Sequence, residues 1–125
     1  MRICCTSDLH GHLPDVEPCD LLLIGGDLCP VHSVVEQAVW LQARFAPWLR
    51  RQPARSIVGV AGNHDFIFQR APELVPSLPW TYLQDSGTEV DGLKAWGSPH
   101  QLPFYDWAFN LPEAELAKRW ELIPD

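Results

Sequence analysis

Ser56-Ile57-Val58-Gly59-Val60-Ala61-Gly62-Asn63-His64-Asp65 reads in two parts. The run from Ser56 to Ala61 is short and apolar, as a strand buried in a parallel sheet is. It breaks at Gly62 into an amide, an imidazole and a carboxylate. Toward the N-terminus the same pattern occurs twice more. Arg2 to Thr6 runs into Asp8-Leu9-His10, and Asp20 to Ile24 runs into Gly25-Gly26-Asp27. Asp, Asn and Gly dominate ordinary turns without binding anything, so one such cluster would mean little. Three at successive strand ends, each with oxygen or imidazole donors suited to a hard or borderline divalent ion, point to one shared rim. The glycines let the backbone turn sharply beside it.

Between the second and third runs, Ser33-Val34-Val35-Glu36 has the form of a capping box. Val35, Ala38, Val39, Leu41, Phe45, Trp48 and Leu49 then make a helical apolar stripe, which should end near Arg50 with Pro53 beyond it. Strand, loop, strand, helix, strand is the order of a crossover-built α/β sheet whose polar strand ends collect on one rim. Pro72 to Pro79 reads as a connecting loop. Tyr82-Leu83, Thr88-Glu89-Val90 and Leu93-Lys94-Ala95-Trp96 read as a second set of short strands, with turns at Asp85-Ser86-Gly87 and Asp91-Gly92. Asn110 is expected to cap a last helix that places Leu116, Ala117 and Trp120 on one face.

At 125 residues the chain is a single domain, 1–125, and 46% hydrophobic with 20% charged residues is the usage of a packed globular core. A net charge of -7 repels polyanions, which argues against extended nucleic-acid binding and leaves a small phosphorylated substrate, bound through metal, as the expected partner. No apolar stretch approaches the ~20 residues of a membrane-spanning helix, so no membrane partner is expected. Met1 leads directly into a strand-like run with no signal-peptide core, which makes the cytoplasm the expected location. The four cysteines have no zinc-ribbon spacing and are expected to be reduced and mostly buried, Cys29 included. Trp40, Trp48, Trp96 and Trp120 are read as core or interface residues, with nucleobase stacking open to Trp107.

The three clusters together resemble the calcineurin-like metallophosphoesterases, whose signature is Asp-x-His, Gly-Asp, Gly-Asn-His-Asp or Gly-Asn-His-Glu, and later histidine motifs. Gly97-Ser98-Pro99, Trp107 to Pro112 and Trp120 to Pro124 further resemble the small bacterial subgroup related to the brain metallophosphoesterase-domain proteins. The resemblance implies an α/β sandwich of two sheets flanked by helices. It implies phosphodiester hydrolysis by a metal-bound hydroxide, with nucleotide or cyclic-nucleotide substrates. Asp8 and His10 would hold one ion, Asp27 would bridge two, and Asn63 would hold the second through its amide oxygen. His64 would serve the leaving oxygen as catalytic acid, with Asp65 orienting its ring. Mn²⁺ is the expected ion, with Mg²⁺, Fe²⁺ or Zn²⁺ as alternatives. His100 would lie near the substrate. His12 and His32 read as loop histidines outside the ligand set.

The family's later histidine motifs have no counterpart before Asp125, so the sandwich is expected to be incomplete at its C-terminal end, with activity weakened by missing ligands. An open sheet edge of that kind is relieved by pairing, and a homo-oligomer is expected. The alternative function is an impaired metal- or phosphate-binding module that acts as an oligomer.

Overall fold

The computed structural model of the chain describes all 125 residues. In order, the elements are β1 (Ile3–Thr6), β2 (Cys19–Ile24), α1 (Val34–Trp40), α2 (Ala46–Arg51), β3 (Ala54–Gly59), α3 (Phe66–Arg70), β4 (Thr81–Tyr82), β5 (Ser86–Val90), β6 (Leu93–Gly97) and α4 (Glu113–Trp120). The first four strands form one parallel sheet in the order β1-β2-β3-β4, and β5 and β6 form an antiparallel pair. This is the expected α/β architecture of two sheets with helices.

Register places the strand ends level. Thr6 lies opposite Ile24, and Ile24 opposite Gly59, so the three polar loops leave the sheet side by side. Alternation then divides the side chains between two faces. Leu22 and Ile24 point into the main core with Leu41, Phe45, Trp48 and Leu49 of the helical layer and Phe66, Ile67 and Phe68 of α3. Leu21, Val58 and Leu83 form a smaller core on the opposite face, with Leu23, Val60 and Val90 packed on it. Burying a side chain such as Phe45 contributes roughly 1.5–3 kcal/mol.

The helical layer departs from the expected stripe. Ser33 does cap α1, its hydroxyl accepting from the Glu36 amide. Val35 and Val39, however, are 66% and 62% exposed, while Gln37 is fully buried. A widened π turn at Leu41–Phe45 joins α1 to α2, with the Ala46 amide bonded back to Leu41 O. Pro47 lacks an N–H and its ring presses on the carbonyl four residues earlier. The wider turn makes room for it and shifts the helical phase, so one stripe cannot describe both halves.

Other expectations are also corrected. Tyr82 belongs to β4, which extends the parallel sheet, so the second sheet has two strands only. Asp91-Gly92 is the tight hairpin turn, both residues at positive φ (48° and 82°), but Ser86 and Gly87 lie inside β5. Helix α4 starts after Pro112 without a side-chain cap, because Asn110 bonds to Phe104 and Tyr105 instead. Of its expected apolar face only Leu116 is buried, and Trp120 is 59% exposed. No helix is long and apolar enough to cross a membrane.

Candidate metal centre

The first two strand-end loops are zipped together through their backbones. The Asp8 amide donates to Gly26 O, the His10 amide to Asp27 O and the Gly11 amide to Leu28 O, each at 2.9 Å. Asp8, His10 and Asp27 all adopt left-handed backbone, with φ of 55°, 45° and 53°. Such geometry costs of order 1–3 kcal/mol for a non-glycine residue and persists only where surrounding bonds enforce it. Here it turns three donor side chains to one place. Their ligand atoms lie within 4.8 Å of one another. His10 Nε2 is 3.8 Å from Asp27 Oδ2 and 4.0 Å from Asp8 Oδ1.

The third loop closes onto Asp27. The His64 amide donates to Asp27 Oδ1 at 3.0 Å. A Cβ at Gly62 would stand 2.1 Å from that same oxygen, so only glycine allows the loop this close. Between these two residues, Asn63 has a buried amide oxygen with no hydrogen-bond partner. An orphaned buried carbonyl costs about 1–3 kcal/mol, and a cation beside it is the natural remedy. Two carboxylates, an imidazole and a free amide oxygen are the donors of a hard or borderline divalent ion, so the residues present fit one.

His64 sits among aromatic neighbours. Its ring centroid is 5.1 Å from that of His10, 5.6 Å from His32 and 4.2 Å from Trp107. Gln37 supports it from below, donating to His64 O at 2.7 Å and to Val31 O at 2.8 Å while accepting from the Ile67 amide. His32, read from sequence as a loop histidine outside the ligand set, is thus a neighbour of His64, and Gln37 is a supporting residue that sequence reasoning passed over. Gln37 sat in a pattern read only for apolar residues.

Asp65 has another role than turning the His64 ring. Its carboxylate is fully buried and accepts from the amides of Leu28, Cys29 and Gly62 at 2.8–3.1 Å. It therefore bolts the second loop to the third. Burial pushes this carboxyl up from its ordinary range, the bonds from Gly62, Cys29 and Leu28 oppose that, and the Asp27 charge adds to it. The Cys29 thiol is pushed up strongly, first by burial and then by Asp65, and packs in the core as expected. All four cysteines are free thiols, but only Cys29 is buried, and Cys5 is exposed.

His100 does not stand open to the rim. Its Nδ1 is 2.9 Å from Asp85 Oδ2, the two side chains being 9% and 7% exposed, and Ser98 and Arg119 also bond to Asp85. Asp85 thereby ties the segment after β6 to α4, and His100 forms part of the wall of a cleft of about 520 Å³ that contains none of Asp8, His10, Asp27 or Asn63. His12 is exposed beside Asp8 on a shallow depression, consistent with a solvated loop residue.

Comparison with known proteins agrees with this geometry. The sequence profile described as calcineurin-like phosphoesterase matches residues 1–118. The human and mouse proteins called metallophosphoesterase domain-containing protein 1 are each 29% identical over 152 aligned residues, covering 99% of this chain and 45% of theirs. A protein named probable rhamnogalacturonate lyase C from Emericella nidulans is 29% identical over 140 residues, covering 99% of this chain and 13% of its own length. The chain therefore spans less than half the length of these relatives. With its profile matched almost from end to end, the chain belongs to the calcineurin-like phosphoesterase family.

Proposed function

We propose that the chain hydrolyses phosphodiesters with divalent metal, Mn²⁺ in the first place, and that nucleotide or cyclic-nucleotide esters are its substrate range. The observation that carries the reading is the convergence of Asp8, His10 and Asp27, together with the unpartnered buried amide oxygen of Asn63 in the loop that closes onto Asp27. These four residues would hold the metal. A divalent ion held there would supply charge neutralisation toward phosphoryl oxygens and a more acidic water.

The protein's own groups do the rest. Asp27 is held by the His64 amide, so its second oxygen faces His10 in a fixed direction. The His64 imidazole donates a proton or hydrogen bond to the leaving oxygen. The Gln37 bond to its carbonyl and the Trp107 ring against its own keep it in place. Pairing with a second copy is part of the proposal. The outer edge of β1 is unpaired, and Ile3 and Leu93 are 42% and 40% exposed.

The test is hydrolysis of bis(4-nitrophenyl) phosphate in Mn²⁺. Asp27→Ala should abolish it. His64→Ala should lower turnover by about 10²–10⁴ while calorimetry shows metal affinity retained. Equal rates for wild type and Asp27→Ala would sink the reading. Light scattering that finds a compact monomer with metal bound would remove the pairing.

A further inference from the structure

We infer that the loop between Gln101 and Asn110 is a specificity platform, on which Tyr105, with Phe104 and Trp107, stacks the planar aromatic group of a phosphoester whose phosphate lies at the metal centre. The inference rests on the phosphoesterase reading above and adds to it the side chains that choose the ester.

The loop is closed on itself. A bridge joins Gln101 to Asn110, and the Gln101 amide donates to Phe109 O at 3.1 Å. Inside, the Asn110 side-chain amide donates to Tyr105 O at 2.9 Å, and its oxygen accepts from Gln101 Nε2 at 3.2 Å. Compact loops with joined ends and internal side-chain bonds hold a surface in a set shape. The Ala108 amide bonds to Asn63 O at 2.9 Å, which fixes this loop directly to the metal-centre loop.

Its aromatic rings form a continuous run outward from His64. Trp107 lies 4.2 Å from the His64 ring, Phe104 lies 5.0 Å and Tyr105 5.6 Å from Trp107, and Phe104 and Tyr105 are 4.6 Å apart. Core packing does not account for the outer two, since Phe104 is 54% and Tyr105 77% exposed. Tyr105 also has a φ of 49°, where glycine or asparagine would meet less strain. A large ring kept in water at a strained position, one ring removed from the His64 imidazole through Trp107, has a use in water. The segment from Gln101 to Leu111 holds no lysine or arginine and one carboxylate, the exposed Asp106, so what it offers a substrate is π surface and no positive charge to pair with phosphate. That suits the neutral planar part of an ester, a nucleobase or another aryl group, with the phosphate left to the metal.

The experiment compares AMP with ribose 5-phosphate, which share the phosphate and sugar and differ in the base, by calorimetry on the Mn²⁺-loaded chain. Stacking on aromatic side chains is worth roughly five- to 150-fold in affinity per base. AMP should bind about tenfold more tightly than ribose 5-phosphate, at the low end of that range because the platform is open. Tyr105→Ala should erase the difference by weakening AMP alone, and Tyr105→Phe should keep it. Tyr105 is so exposed that its removal leaves the fold intact, which equal ribose 5-phosphate affinity in both proteins would verify. Equal binding of the two compounds by the wild type, an unchanged preference in Tyr105→Ala, or binding of neither would overturn the platform. A persistent AMP preference without Mn²⁺-dependent hydrolysis would count against catalysis and leave the platform standing.

Discussion

Replacing Asp65 by alanine should unfold the site before it touches the chemistry. The carboxylate satisfies the amides of Leu28, Cys29 and Gly62, all at 3.1 Å or less, in a position with no exposure to solvent. Each buried amide left without a partner costs about 1–3 kcal/mol, so the raw loss is about 3–9 kcal/mol. Two effects reduce it. The mutant no longer buries a carboxylate, whose desolvation already pushes its pKa up, and a water can enter the space left behind. A net loss of about 4 kcal/mol is expected, a large share of the 5–15 kcal/mol that holds a typical domain. Urea denaturation followed by tryptophan fluorescence should show a midpoint lower by about 2 M for a slope near 2 kcal/mol per M. Asp65→Asn keeps one acceptor oxygen and should lose about half as much. Manganese affinity should fall together with stability in both variants, because the same bonds set the distance between Asp27 and Asn63. A loss under about 1 kcal/mol in Asp65→Ala, with turnover alone impaired, would refute the bolt and restore the idea that Asp65 serves the His64 ring.

Three further outcomes follow from the same geometry. Asn63→Ala removes an unpartnered buried oxygen, so in chelator its stability should stay within about 1 kcal/mol of wild type or rise, while Mn²⁺ affinity by calorimetry drops at least tenfold; a loss of stability without a loss of affinity would show the amide to be structural. Gly62→Ala drives a methyl into the Asp27 carboxylate and backbone, and should cost about 1–3 kcal/mol and most of the metal affinity; unaltered Mn²⁺ titration would contradict the close approach. Maleimide labelling of the native chain should modify Cys5 fastest and spare Cys29 until denaturant is added, as mass spectrometry can follow; early labelling of Cys29 would mean that the core around Asp65 opens readily.

Much of the rim was legible in the residues because it is written locally. An apolar run that stops at glycine and a polar cluster encodes a strand and the loop at its end, and three such units led to the parallel order β1-β2-β3. The Ser33 cap and the Asp91-Gly92 hairpin turn were likewise readable, since each depends on neighbours a few residues away. What tertiary structure alone decided involves partners far apart in the chain. Asp65 meets Leu28 across 37 positions and Gln37 meets Ile67 across 30, and no periodicity reports such a bond. That His100 pairs with Asp85, which Arg119 also reaches, was likewise unreadable, since the three lie in separate parts of the chain. The same holds for Asn110, whose type and position suit a helix cap but whose amide closes the Tyr105 loop instead. Sequence determines which side chains can ligate, cap or turn. Which of several competent partners each one takes depends on the burial and distance that only the packed chain creates.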